Sequence, residues 1–253
     1  MLRDYQIEMK TRLMEAWKAH RSVMVQMPTG TGKTHLLASV VSEFVSSAGS
    51  GVWLIAHRRE LVAQMEETLA KYGIRREDTP VRVMSVQWLS RHWNEAGDAP
   101  GLIVIDEAHH ALAASYTEMW KRYPAAKKLG VTATPCRLNR RGFTELFEVL
   151  VTSWSIAEFI EKGVLSVFDY VSIRPGSEEQ RLIDGLEKRG ADGDYQVKEM
   201  DAVLNRRPGI ERLYRSVRQF ASGKKGMVYA ISIEHARRIA EYYSRRGVKD
   251  RKS

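Results

Sequence analysis

Along the first 150 or so residues, short apolar runs alternate with stretches whose apolar positions recur every three or four residues. In "DYQIEMKTRLMEAWKAH", Ile7, Leu13, Met14 and Trp17 fall at helical spacing and predict an opening helix. "SVMVQM", "GVWLIAH", "VRVMSV", "LIVID" and "KKLGVTA" are short apolar runs that predict strands. Between them, "THLLASVVSEFV" and "RELVAQMEETLAKYG" predict helices. Apolar strands separated by helices predict an α/β domain, a parallel sheet with helices on both faces. Ligands of such sheets bind beyond the carboxyl ends of the strands. The polar tails "PTGTGKT", "AHRRE", "DEAHH" and "TATP" each follow a strand and are expected on one rim.

The pattern changes from about Val151. "SIAEFIEKG" predicts a connecting helix and "VLSVFDYVSI" a strand; the charged stretch that follows predicts helices with loops. "GIERLYRSVRQFA", "GMVYAI" and "EHARRIAEYYSRRG" then predict helix, strand and helix. The expected division is a first domain over 1–154, a linker and polar helical spacer over 155–207, and the start of a second α/β domain over 208–253.

Composition adds a partner class. With 43% hydrophobic and 28% charged residues the chain is ordinary soluble material. Its formal charge of +9 favours an acidic partner, of which nucleic acid is the commonest. The single cysteine, Cys136, excludes an intrachain disulfide and fits a reducing cytosol. The opening "MLRDYQIEMK" is charged from its third residue and is not a secretory signal, and no apolar run approaches the ~20 residues that span a bilayer. The expectation is a cytoplasmic protein with no membrane partner.

"MPTGTGKTHLL" places Thr29, Gly30, Thr31, Gly32, Lys33 and Thr34 between a strand and a helix. Glycines let the backbone curl so that successive N–H groups face phosphate oxygens, and the helix N-terminus adds its positive end. Lys33 would reach the β- and γ-phosphates of ATP, and the Thr34 hydroxyl would ligate Mg²⁺. The general pattern has a glycine where this chain has Met27. Such a loop needs a second strand ending in an acid, and "LIVIDEAHHAL" supplies one. Asp106 is the metal-side carboxylate, and Glu107 is placed to polarise an attacking water. A zinc site of the helical kind wants histidines four apart, whereas His109 and His110 are adjacent.

With "MPTGTGKT", "DEAH" and "TATP" in this order, the sequence resembles the first motor domain of superfamily 2 helicases. "LRDYQ", "AHRRELVAQ", "DEAHH" and "GVTATPCRL" are most similar to the branch containing RadD, XPB and the restriction-enzyme motors. The resemblance implies a RecA-like, P-loop NTPase fold over the first domain. It also implies that Gln6, assisted by Arg3, reads adenine, and that His57, Arg58 and Arg59 grip a nucleic-acid backbone. Ser85, Gln87 and Arg91 of "SVQWLSRHW" become further strand contacts. Trp88 and Trp93 either stack on bases or form a buried helix face. Thr132 and Thr134 resemble the motif coupling ATP state to the nucleic-acid track, with His109 as a partner. A solvated helix cap at 57–59, exposed helix residues at Arg3 and Gln6, and a capped strand end at Thr132 are the structural alternatives.

"GMVYAISIEHARRIAEYY" resembles the opening of the second RecA-like motor domain. The two later motifs of that domain, including the arginines that reach the γ-phosphate, are not in the sequence, so the chain is expected to be an N-terminal portion. The resemblance therefore implies the motor portion of an ATP-dependent helicase or translocase. It would act as a monomer on DNA rather than RNA, with little turnover by this portion alone. A module that holds ATP and nucleic acid without useful turnover is the alternative. A nucleotide switch acting on a protein partner is a third.

Overall fold

The computed structural model describes residues 2–56, 59–75, 77–108, 114–135, 143–172, 177–189 and 194–249. They form two compact units, Met1–Val167 and Phe168–Ser253.

The first unit opens with α1 (Asp4–Ala19), β1 (Ser22–Gln26), α2 (Lys33–Ala48), β2 (Val52–Ala56), α3 (Arg59–Ala70) and β3 (Val81–Ser85). It continues with α4 (Val86–Leu89), β4 (Leu102–Asp106), α5 (Ala114–Arg122), β5 (Lys127–Thr132), β6 (Val149–Thr152) and α6 (Ile156–Glu161). The strands make one six-stranded sheet in the order β3-β2-β4-β5-β1-β6, every pair parallel. Successive strand side chains point to opposite faces. On one face Val23, Val25, Leu54, Val104 and Val131 pack under α1, α2, α3 and α6. On the other, Met24, Trp53, Ile55, Ile103 and Ile105 pack with Leu89, Tyr116 and Met119 of α4 and α5. Burial on both faces explains why these strands read as continuous apolar runs. At Gly130 of β5 an added Cβ would lie 2.5 Å from Phe147 and 2.8 Å from the Ala108 Cβ, so the second face closes only over a residue without a side chain.

The buried stripe of α1 is Tyr5, Met9, Leu13 and Trp17, spaced by four, with Gln6 beside it. Ile7, expected in that stripe, is 50% exposed, and Met14 is half-buried. The apolar spacing of Ile7 with Leu13 competes with a longer run that begins two residues earlier, at Tyr5. Strand β6 was not among the expected strands; it pairs with β1 and extends the sheet beyond it. Helix α6 belongs to the first unit, because Phe159 is fully buried in its core. That unit therefore runs to Val167, past the expected boundary at residue 154.

The second unit contains α7 (Ser177–Asp184), α8 (Val197–Leu204), α9 (Arg207–Phe220) and α10 (Ile233–Ser244). Ile210, Ile239 and Tyr243 form a small core, with Leu213, Tyr214 and Val217 packed against it. Ser232 caps α10 by accepting from the His235 amide at 3.0 Å, and its hydroxyl donates to Asp201 at 2.5 Å. The runs "VLSVFDYVSI" and "GMVYAI", expected as strands, carry no strand pairing over the described residues 164–172 and 226–231. Tyr170 is 83% and Tyr229 91% exposed. A strand exists only with a neighbour to complete its ladder. Among the described residues beyond 167, only one bridge forms, Arg189 with Tyr195.

Candidate nucleotide site

All six strands are parallel, so their carboxyl ends lie on one rim. The loop after β1 begins at Met27, whose N–H donates to the Thr132 carbonyl at 3.0 Å. This ties the loop to the end of β5. Gly30 and Gly32 hold φ of +85° and +80°, a conformation that glycine adopts without steric cost. Thr31 turns inward: it is fully buried and its hydroxyl donates to the Pro28 carbonyl at 2.7 Å. Thr29, Gly30 and Thr34 are exposed. Lys33 opens α2, half-buried, with Nζ 3.5 Å from the Met27 carbonyl. An ammonium, an open helix N-terminus and a curled glycine backbone make a donor set that fits polyphosphate.

Gln6 lies beneath this loop and is only 4% exposed. Its Nε2 donates to the Thr31 carbonyl at 3.2 Å and the Gly32 carbonyl at 3.1 Å, while Oε1 accepts from the Arg3 N–H at 2.9 Å. Two acceptors on one side and a donor on the other fix which way the amide points. Arg3 precedes α1 with its side chain exposed. Beside Gln6, the buried Tyr5 hydroxyl donates to the Thr31 carbonyl at 2.8 Å. No sequence motif singled out Tyr5. A tyrosine on an apolar helix face reads as core, and the only hint was its place next to Gln6.

The acidic pair stands at the end of β4, which is separated from β1 by β5 alone. Two strand spacings put that end about 10 Å from β1, with Thr132 at the end of the strand between. Asp106 and Glu107 are both half-buried. The Glu107 N–H donates to Asp106 Oδ1 at 2.9 Å, and Glu107 takes φ +50°, the only positive φ at a non-glycine among the described residues. Thr132 is fully buried; its Oγ1 accepts from the Thr134 N–H and donates to the Thr134 carbonyl, both at 3.1 Å. Thr134 itself is exposed.

Elsewhere on the rim, Ser85 is 6% exposed and caps α4 by accepting from the Trp88 N–H at 3.2 Å. Gln87 and Arg91 are exposed. Trp88 is 38% exposed and stacks on His92 at 4.9 Å and 11°. Trp93 instead packs against the second-face core, with Arg122 over its ring at 4.9 Å. His57, Arg58, His109, His110 and Cys136 lie outside the described residues, as does the side chain of Arg59.

A family described as type III restriction enzyme, res subunit, matches residues 1–137, more than half of the chain. The chain belongs to this family. It is a superfamily 2 helicase-type protein of the XPB and restriction-motor kind, with an α/β RecA-like fold. It is 26% identical over 228 residues to the "51.5 kDa protein" of Lactococcus phage (isolate 7-9), covering 89% of this chain and 47% of that one. It is 28% identical over 205 residues to the "DNA 3'-5' translocase XPB2" of Sulfurisphaera tokodaii, covering 74% of this chain and 44% of that one. Among solved structures, the UvsW helicase of bacteriophage T4 superposes with a TM-score of 0.50 at 17% identity, covering 59% of each chain, a likeness of fold. The res-subunit family chain thus spans about half the length of the curated relatives it matches.

Proposed function

We propose that this chain is the motor portion of an ATP-driven DNA translocase or helicase, with Mg-ATP held by the loop after β1. One observation carries this reading. A curled, glycine-bearing loop and an acidic strand end stand on the same rim, separated by β5, to whose end the loop is tied by the Met27–Thr132 hydrogen bond. In this reading Lys33 neutralises the β- and γ-phosphates, while Thr34 and Asp106 hold Mg²⁺. The metal would offset phosphate charge and polarise the γ-phosphoryl group. Glu107, turned by its left-handed backbone, orients the attacking water and accepts its proton. Thr132 and Thr134, at the end of the intervening strand, are placed to feel both the acid pair and the phosphate loop.

In this reading the DNA track runs over the outer part of the rim, where Gln87 and Arg91 are exposed and where α3 begins at Arg59. DNA is the favoured strand because a relative that this chain resembles is named a DNA translocase. Gln6 reads adenine only by giving up bonds to the loop, so base preference is weaker than phosphate binding in this reading. The second unit is read as the opening of a second motor domain. Turnover by these 253 residues alone is read as slow, because the γ-phosphate arginines of such motors come from motifs this sequence does not carry.

The test is anisotropy of labelled single-stranded DNA titrated with the protein at several salt concentrations, with and without Mg-ATP. Affinity should fall linearly in log salt with a slope of about −0.7 per phosphate contact. It should change with nucleotide, and Arg91→Ala should weaken every DNA sequence alike. Binding indifferent to both salt and nucleotide would contradict the motor reading.

A further inference from the structure

The Thr31 carbonyl accepts two side-chain hydrogen bonds, from the Tyr5 hydroxyl at 2.8 Å and from Gln6 Nε2 at 3.2 Å. A carbonyl oxygen offers two lone pairs, and both are used. Tyr5 and Gln6 are each 4% exposed, so bulk water does not compete for that oxygen. The next residue, Gly32, stands at φ +80°. Because glycine accepts either sign of φ, residue 32 offers little steric resistance to a flip of the Thr31–Gly32 peptide. A trans peptide points its C=O and N–H in opposite directions. Held with the carbonyl toward α1, this one points the Gly32 N–H away from α1. Flipped, it would aim a carbonyl at bound phosphate and withdraw a donor.

We propose that Tyr5 is a positioning residue for the nucleotide's phosphates: with Gln6, its buried hydroxyl locks the Thr31–Gly32 peptide with the N–H turned outward. The glycine that lets the loop curl also leaves it free to flip, and the two-donor clamp removes that freedom. The clamp is itself held. The Tyr5 ring packs edge-on against Phe159 at 5.1 Å and tilted against Trp154 at 5.4 Å, and those two rings lie 5.4 Å apart. From the same segment, Leu165 Cδ2 lies 3.2 Å from where a Cβ on Gly30 would stand. A Cβ on Gly32 would come within 2.4 Å of Gln6 Nε2, so the clamp grips the loop at the glycine itself. The proposal rests on the phosphate-loop reading given above.

Tyr5→Phe keeps the ring and removes only the hydroxyl. In the nucleotide-free protein, the Gly32 amide resonance should shift and split or broaden as the flipped peptide becomes populated. An unmoved, single resonance overturns the clamp. In calorimetry, Mg-ATP and Mg-pyrophosphate should each bind about three- to tenfold more weakly, the worth of one neutral hydrogen bond, with adenosine binding unchanged. A merely structural tyrosine would lower the melting temperature and leave the ratio of Mg-ATP to adenosine affinity at its wild-type value, and that result also overturns the proposal. Phe159→Leu, which loosens the ring but keeps the hydroxyl, should move the same ratio in the same direction, and it carries the test if Tyr5→Phe does not fold. Wild-type protein that binds neither Mg-ATP nor Mg-pyrophosphate would sink the proposed function, and the Gly32 resonance would then decide the clamp alone.

Discussion

Glu107 carries a backbone conformation that its side chain does not favour, and replacing it separates strain from chemistry. At φ +50° an L-residue pays about 1–2 kcal/mol relative to its right-handed conformations, and glycine does not. Glycine gives back about 0.5–1 kcal/mol of that advantage through its freer unfolded chain. Glu107→Gly should therefore be more stable than Glu107→Ala by about 0.5–1 kcal/mol, which is about 1–4 °C for a unit of this size. At an ordinary position the order is the reverse, with alanine ahead. Both variants lose the same side-chain contacts, and both keep the main-chain N–H that bonds Asp106, so their difference isolates the backbone. Thermal melts followed by circular dichroism measure it. Phosphate release, already slow in this chain, should fall equally in both, because neither carries the carboxylate. An alanine variant that melts at or above the glycine variant would refute the strain assigned to this turn.

Ser85→Ala should cost about 1 kcal/mol of stability through loss of the α4 cap, and DNA affinity should change less than in Arg91→Ala; paired melts and anisotropy titrations compare the two. Gly130→Ala should destabilise by about 1–3 kcal/mol, read from urea midpoints, because the new methyl meets Phe147 and Ala108. The His235 pKa lies below its ordinary 6.5, chiefly through burial and also through Arg238, with Asp201 opposing. Its Nδ1 also faces the Ile231 N–H at 3.4 Å, an arrangement that suits the neutral ring. The unfolded chain therefore takes up this proton first, so the second unit should lose stability as pH falls below 6.5 toward the lowered folded value. Hydrogen exchange in α10 should show that loss, and His235→Gln should flatten it.

The sheet and the glycine-bearing turn after β1 were legible because local chemistry dictates them. Val23, Val25, Val104 and Ile105 are buried on one face or the other, and a glycine-rich turn before an amphipathic helix has few other uses. Strand β6 escaped notice because only Val151 of its four residues is buried and Trp154 follows at once, which blurs its end. The runs at 164–172 and 226–231 show the converse: their residues suit a strand, but a ladder depends on partners that no local pattern specifies. The burial of Ser85 and the bond by which its hydroxyl caps a four-residue helix were not legible, because exposure cannot be read from spacing. The left-handed backbone at Glu107 and the Tyr5 hydroxyl under Thr31 were invisible for another reason. Neither leaves a residue-type signature: glutamate has no preference for a positive φ, and the tyrosine's partner lies 26 residues away in the chain.

The central claim is that the loop after β1 holds Mg-ATP, and the melting shift on adding that nucleotide tests it most directly. At a hundredfold excess over the dissociation constant, wild-type protein should gain about 2.7 kcal/mol of stability. Lys33→Ala should show no shift while melting near the wild-type temperature in the absence of nucleotide. An equal shift in wild type and Lys33→Ala, or none in wild type, would contradict the assignment.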